Sequence, residues 1–386
     1  MTFKDHLNPD QLKAVMAGEG PILVIAGAGS GKTRTLTYRV ARLLADGVRP
    51  ENILLATFTN KAAGEMLFRV GVLTGTEIGH LWGGTFHHLA NRVLRRYGYL
   101  LGYRPGYTIL DSDDSVKLIN SCISEMGIDK KTEKFPRGNI IGDITGYSLN
   151  TGQDVEAVVL KRYPYFNYCL EEITKVLDLY KRKKLESNAM DFDDLLVNWK
   201  ELLSGSRQVL EEYAGRFRHI LVDEYQDTSK VQADIIDLLA SRHHNLMVVG
   251  DDSQSIYSFR GANYDNILNF PERYPDAQMI KLETNYRSTP EILHLANKSI
   301  DNNGRQFHKV LRAVRQSGPR PVLVPAGNVL QQASFVVSRI MDLLREGLPA
   351  AEIAVLYRAH YHSMELQMEL TRRGIPFEIR SGIRFF

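Results

Sequence analysis

Short apolar runs alternate with longer stretches of helical spacing along the first part of the chain. "PILVIA" (21–26) passes through a glycine-rich turn into "LTYRVARLLADG", and "ILLATF" (53–58) passes into "NKAAGEMLFRVGVL". An unbroken apolar run bounded by turn residues reads as a strand buried on both faces, and strands alternating with helices read as a parallel sheet. From about Asp111 the strand signal vanishes, and "SDDSVKLINSCISEMG" and "YCLEEITKVLDLYKRKK" read as amphipathic helices of an insertion. Strands return with "HILVDE" (219–224) and "LMVVGD" (246–251), each ending in acids, so the first sheet is expected to be completed only after the insertion. "MIKLETN", "RPVLVPA", "EIAVLYR" and "FEIRS", from about residue 279 onward, predict a second α/β lobe. The basic run "KRKK" (181–184) reads as a solvated helix end.

The resulting expectation is an α/β protein in four segments: 1–110 and 191–278 for the first lobe, 111–190 for the helical insertion, and 279–386 for part of a second lobe. A length of 386 residues suits two or three domains, and 44% hydrophobic residues suffice for real cores. No apolar stretch approaches the roughly 18 residues needed to span a bilayer, and the start "MTFKDHLNPD" is polar, so neither a membrane span nor a signal peptide is expected. Cys122 and Cys169 form no C-x-x-C pattern, which excludes a recognisable zinc or disulfide framework and fits a reducing cytoplasm. A net charge of +3 is too mild to argue nucleic-acid binding, which must come from local sites.

Chemistry gathers where apolar runs end. "AGAGSGKTRT" (26–35) fits G-x-x-x-x-G-K-[ST] with Ala26 in place of the first glycine. Small residues, Ala28, Gly29, Ser30 and Gly31 among them, let backbone N–H groups turn inward on a polyphosphate. The following helix aims its positive dipole end at the same point, Lys32 adds a point charge, and Thr33 offers a hydroxyl to Mg²⁺. In "VDEYQDT" two acids end a buried strand, where ligands gather on parallel sheets: Asp223 suits Mg²⁺, and Glu224 suits orienting and deprotonating a water. "VVGDDSQSIYSFRGA" repeats the arrangement and adds Gln254, able to bond a γ-phosphate or its water, a few residues before exposed aromatics. That proximity suggests a relay between two ligands.

"LNPDQ", "AGAGSGKT", "TFTNKAAGEM", "TFHHLANRVLRR", "DFDDLL", "VDEYQDT", "GDDSQSIYSFRGA" and "NYRST" resemble, in content and order, the UvrD, Rep and PcrA group of superfamily 1 DNA helicases. The resemblance implies two RecA-like lobes and an ATP- and Mg²⁺-dependent cytoplasmic motor. Such a motor moves 3′ to 5′ on single-stranded DNA and unwinds duplex carrying a 3′ single-stranded tail, in repair or replication. It implies that Gln11 reads the adenine edge, that Arg34 and Tyr286 stack on the base, and that Lys32 and Thr33 take phosphates and metal. Asp223 and Glu224 would serve metal and water, Gln254 would sense the γ-phosphate, and Arg287 would reach from the second lobe as an arginine finger. Phe58, Asn60, Thr85, Phe86, His87, Phe192, Tyr257, Phe259 and Arg260 match its strand-binding positions, and aromatic platforms suit strands held without sequence readout.

Two departures qualify this resemblance. Position 259 is Phe where the group more often has Trp, which keeps stacking but removes area and the indole N–H. The group's second insertion, its "GLEF"-type DNA segment and its late arginine do not occur before the final "SGIRFF", so the chain reads as the N-terminal portion of a longer helicase. Two rival functions stand beside a helicase: a nucleotide-gated clamp on single-stranded DNA, and a metabolic P-loop kinase. The kinase leaves "TFTNKAA", "TFHH" and "SIYSFRGA" without a use.

Overall fold

The computed structural model describes residues 5–75, 79–128 and 135–380; within this span the side chain of Arg260 is left undescribed. Two compact units are distinguished, divided between Pro319 and Arg320.

In the first unit the chain runs α1 (Pro9–Met16), β1 (Ile22–Ala26), α2 (Lys32–Ala45), β2 (Ile53–Thr57), α3 (Asn60–Thr74), β3 (Trp82–Thr85) and α4 (Phe86–Tyr97). An excursion follows: β4 (Thr108–Ile109), α5 (Ser112–Glu125), α6 (Gly138–Thr151), α7 (Val155–Arg162), α8 (Leu170–Glu186) and β5 (Ala189–Met190). Then come α9 (Phe192–Gly205), α10 (Arg207–Arg216), β6 (His219–Val222), α11 (Lys230–Ala240), β7 (Leu246–Gly250), α12 (Asp265–Leu268), α13 (Phe270–Arg273) and β8 (Gln278–Leu282). The unit closes with β9 (Thr284–Asn285), α14 (Pro290–Ile300) and β10 (Arg312–Ala313).

Six strands form one sheet in the order β3-β2-β6-β7-β1-β8, with every neighbouring pair parallel. Alternate residues serve its two faces. Leu23 and Ile25 pack with α4, α9 and α11 in one core, whereas Ile22, Val24 and Ala26 pack with α1, α2 and α3 in another. Burial on both sides is why these strands read as unbroken apolar runs. The excursion has its own core, built on Ile119, Cys122, Ile141, Val158, Cys169 and Val176. It leaves and returns through the parallel pair β4 and β5, which keeps the main sheet continuous around it.

Three expectations need correction. "MIKLETN" does not open a second sheet, because its residues 279–282, with Gln278 before them, lie beside β1 as the sixth strand of the first. "RPVLVPA", "EIAVLYR" and "FEIRS" are not strands. In the second unit, α15 (Val329–Arg345) and α16 (Met364–Arg372) pack through Val337, Ile340 and Leu370, while Leu323 and Leu356 are each 93% exposed. Strand propensity expresses itself only through cross-strand partners, and these segments have none among the described residues. Finally, Lys184 of "KRKK" is not solvated: it is buried between Asp191 and Asp194, 2.6 Å from each. Among the described residues no helix is long and apolar enough to cross a membrane.

Leu23 is fully buried in the middle of β1. Leu23→Ala should lower unfolding free energy by about 2–5 kcal/mol in urea titrations, through lost transfer energy and the residual cavity.

Candidate active site

Parallel strands deliver their carboxyl ends to one edge of the sheet, and the predicted chemistry lies there. β1 ends at Ala26. The loop beyond it folds on itself through the Ser30 hydroxyl, which donates to the Gly27 carbonyl at 2.7 Å, and reaches α2 through Gly31 at φ 87°. Only glycine adopts that backbone without strain, and a Cβ at position 31 would sit 2.6 Å from Gln11 Nε2. No side chain caps α2, so the first N–H groups of that helix remain for an anion.

The cleft in front of the loop encloses about 400 Å³, within the ordinary range of small-molecule sites. Its lining includes the predicted residues Ala28, Gly29, Gly31, Lys32, Thr33, Arg34, Glu224, Gln254, Tyr286 and Arg287. Arg69 of α3 also lines it and was missed by sequence reading. Its only signal was a basic residue nine positions into the helix after "TFTN", which needs the β2–α3 turn to become meaningful. Lys32 Nζ lies 2.8 Å from Glu224 Oε2. Glu224 adopts the left-handed region at φ 49°, a costly conformation for a residue with a Cβ, and Gln226 Nε2 donates to its carboxylate at 2.9 Å. Asp223 is buried, and its carboxyl accepts from the Glu224 N–H at 3.0 Å. Burial, with the Glu224 carboxylate beside it, pushes Asp223 up to about 7 against the opposing Lys32 charge and the hydrogen bond from the Glu224 N–H. A buried acid short of positive charge, at the same edge of the sheet as the loop that leads to Thr33, fits a hard divalent cation. Mg²⁺ needs only one or two protein oxygens besides water and phosphate.

Other predicted residues are placed differently. Gln11 is buried beneath the loop: its amide donates to the Ser30 carbonyl at 2.9 Å and accepts from the Asn8 N–H at 3.2 Å. The Arg34 guanidinium donates to the His6 carbonyl at 2.6 Å. Tyr286 and Arg287, expected to arrive from a second lobe, belong instead to the same compact unit as the phosphate loop. They are tied to it directly, since Asn285 Nδ2 donates to the Ala28 carbonyl at 2.5 Å and the Tyr286 N–H to the Gly29 carbonyl at 3.0 Å.

Farther along the same edge, Phe58 after β2 stacks on Tyr257, with ring centroids 5.3 Å apart and planes at 28°. Tyr257 lies 6.1 Å from Phe259, which is 58% exposed. His87 meets the exposed Phe192 edge to face at 5.9 Å, and burial lowers the His87 pKa, which favours the neutral ring. Asn60 opens α3 and is exposed. Two strand-binding expectations are corrected. Phe86 is only 4% exposed and points into the core with Leu54 and Leu89, because the first residue of α4 faces the sheet. Thr85 is buried and spends its hydroxyl capping α4 at the His88 N–H, 3.2 Å away. The expected contact at Arg260 falls on a side chain outside the described residues.

The model of the UvrD/REP helicase N-terminal domain matches residues 7–275, and that of the UvrD-like helicase C-terminal domain matches residues 280–386. The chain is 39% identical over 385 residues to the ATP-dependent DNA helicase PcrA of Staphylococcus aureus strain Mu50, covering 99% of this chain and 52% of that protein. The PcrA of Staphylococcus epidermidis strain RP62A is likewise 39% identical, over 384 residues. The chain thus spans about half the length of the curated relatives it matches.

Gly31→Ala should abolish triphosphate binding in a fluorescent-nucleotide titration while leaving the far-UV circular dichroism unchanged, since the clash is confined to the loop. The raised Asp223 pKa has a definite sign in stability. Between its unfolded value near 3.8 and its folded value near 7 the native state holds the extra proton, so its contribution is complete below about 3.8 and is lost as pH rises through about 7. Without Mg²⁺, urea titrations at pH 6 and pH 8 should show the wild type losing more stability across that step than Asp223→Asn. Equal losses would remove Asp223 as the titrating group.

Proposed function

We propose a function for a chain that belongs to the UvrD/REP helicase family: hydrolysis of ATP, with Mg²⁺, drives movement 3′ to 5′ along single-stranded DNA and opens duplex bearing a 3′ single-stranded tail. The observation that carries this reading is the path of the segment after β7. Gln254 lines the phosphate cleft, and three residues later Tyr257 has crossed the end of β6 to stack on Phe58 at the end of β2. The phosphate cleft is thereby linked within three residues to rings on which bases can stack.

Lys32 forms an ion pair with Glu224. An arriving triphosphate competes for that ammonium. Transfer of Lys32 to the β- and γ-phosphates frees the Glu224 carboxylate to accept a proton from the attacking water as its oxygen bonds the γ-phosphorus and the bond to the ADP oxygen breaks. Thr33 and Asp223 are the oxygen donors that would hold Mg²⁺, whose charge when bound offsets that of the phosphates. Arg287, lining the same cleft, stabilises charge on the transferred group. Exposed rings hold the strand by stacking, at roughly 1–3 kcal/mol per base, without reading its sequence.

Single-stranded DNA should raise the ATP hydrolysis rate of this chain, an effect a small-molecule kinase would not show. Glu224→Gln should lower turnover by about 10²-fold or more with MgATP binding retained. Phe259→Ala should leave DNA-free hydrolysis intact while shrinking stimulation by DNA. Phosphate-release assays with and without oligonucleotide measure all three, and strand displacement on a 3′-tailed duplex tests direction. Absence of stimulation by DNA would overturn the motor reading.

A further inference from the structure

Residues 307–313 return along the first compact unit after α14 and touch three segments of the cleft. Leu311 occupies the space over Gly27, where a Cβ would lie 2.3 Å from its Cδ2. β10 pairs with β9, which leads into Tyr286 and Arg287. Between these contacts Lys309, its side chain 4% exposed, places its ammonium 2.9 Å from Asp251 Oδ1, 2.6 Å from Asp252 Oδ1 and 2.8 Å from Ser253 Oγ. The ammonium donates hydrogen bonds to Asp252 and Ser253 and forms an ion pair with Asp251. The second Asp252 oxygen accepts from the Phe307 N–H at 3.1 Å. The second Asp251 oxygen accepts from Gln254 Nε2 at 2.6 Å.

Asp251 is therefore a bridge: the Lys309 ammonium and the Ser253 N–H, the latter at 3.1 Å, meet one carboxylate oxygen, and Gln254 meets the other. Without Lys309, two adjacent buried carboxylates would have no cation beside them, and the first oxygen of Asp251 would keep only the Ser253 N–H, which weakens the hold on the orientation that presents the other oxygen to the glutamine. Packing alone does not require this arrangement, since replacing a whole buried ion pair by apolar residues of similar volume is often neutral or stabilising. The charge is needed where orientation matters.

We infer that Lys309 is a positioning residue for triphosphate recognition: through Asp251 it aims the Gln254 amide at the cleft, and its segment holds that loop in register with the phosphate loop and Arg287. The inference rests on the reading of Gln254 as the γ-phosphate contact. The ligand class it discriminates is nucleoside triphosphate over diphosphate.

The test is the ratio of MgADP to Mg-ATPγS dissociation constants, read by displacement of a fluorescent ADP analogue from the 386-residue chain. Gln254→Ala should cut the triphosphate preference roughly tenfold, the worth of one hydrogen bond to a charged group. Lys309→Met should do the same while changing ADP affinity much less, Lys309→Arg should recover part of the preference, and the double variant Gln254→Ala with Lys309→Met should lose no more than Gln254→Ala alone. An equal loss for both nucleotides in Lys309→Met, or losses that multiply in the double variant, would overturn the proposal and leave Lys309 a scaffold. An unchanged preference in Gln254→Ala would instead overturn the reading of Gln254 and the proposal with it. If thermal melts show Lys309→Met unfolded, Lys309→Gln, which also removes the charge, takes its place in the cycle, where a preference equal to wild type counts against the proposal.

Discussion

The position of β1 between β7 and β8, in a sheet whose strands all point one way, is the constraint on which the rest depends. It brings three loops from distant parts of the chain to the two sides of one phosphate-binding turn: Asp251–Gln254 after β7, Asn285–Arg287 after β8, and Asp223–Glu224 one strand farther, after β6. Loop propensities alone do not achieve this. Parallel neighbours must be joined by crossovers, and each crossover helix here buries its apolar stripe on one face of the sheet, which fixes both the strand order and the edge at which the loops emerge.

Strand order also divides that edge by function. Read from β3 to β8, the carboxyl ends present His87, Phe58, Glu224, the Gln254 loop, the phosphate loop and then Tyr286 with Arg287. Rings lie toward one side and phosphate chemistry toward the other. The segment after β7 spans the division, because it begins among buried acids and ends in exposed aromatics. Gln226 strengthens the link, donating to Glu224 at 2.9 Å while its carbonyl oxygen accepts from the Asp251 N–H at 2.9 Å. A line of ion pairs and hydrogen bonds therefore runs from Lys32 through Glu224, Gln226 and Asp251 to Lys309. Such a line joins the lining of the cleft to the loop that carries the rings.

Buried charge is handled consistently through the first unit. Lys184 bridges Asp191 and Asp194 beside the return of the helical excursion, and Lys309 bridges Asp251 and Asp252 beside the cleft. In both places one ammonium joins a pair of acids at the start of a functional segment: Phe192 follows the first, Gln254 the second. Each arrangement is costly to disturb because removal of either sign strands the other in a low-dielectric site.

Much of this was legible in the residue order. Unbroken apolar runs identified β1, β2, β6 and β7, since strands covered on both faces leave no polar alternation. The glycine spacing identified the phosphate loop, because a positive φ at position 31 and close approach to Gln11 admit no side chain. What the order of residues could not decide was partnership. "MIKLETN" and "RPVLVPA" carry similar strand signals, yet only the first lies beside β1 and becomes a strand. Phe86 and Phe58 both sit in threonine-phenylalanine pairs at strand ends, yet helix phase turns the first into the core and leaves the second exposed. Lys184 and Lys309 look like ordinary surface lysines until tertiary folding brings acids from other segments around them. Local propensity and periodicity are properties of a few neighbouring residues and can be read from them; burial, pairing and the aim of a side chain depend on residues far along the chain, and only the folded structure sets those.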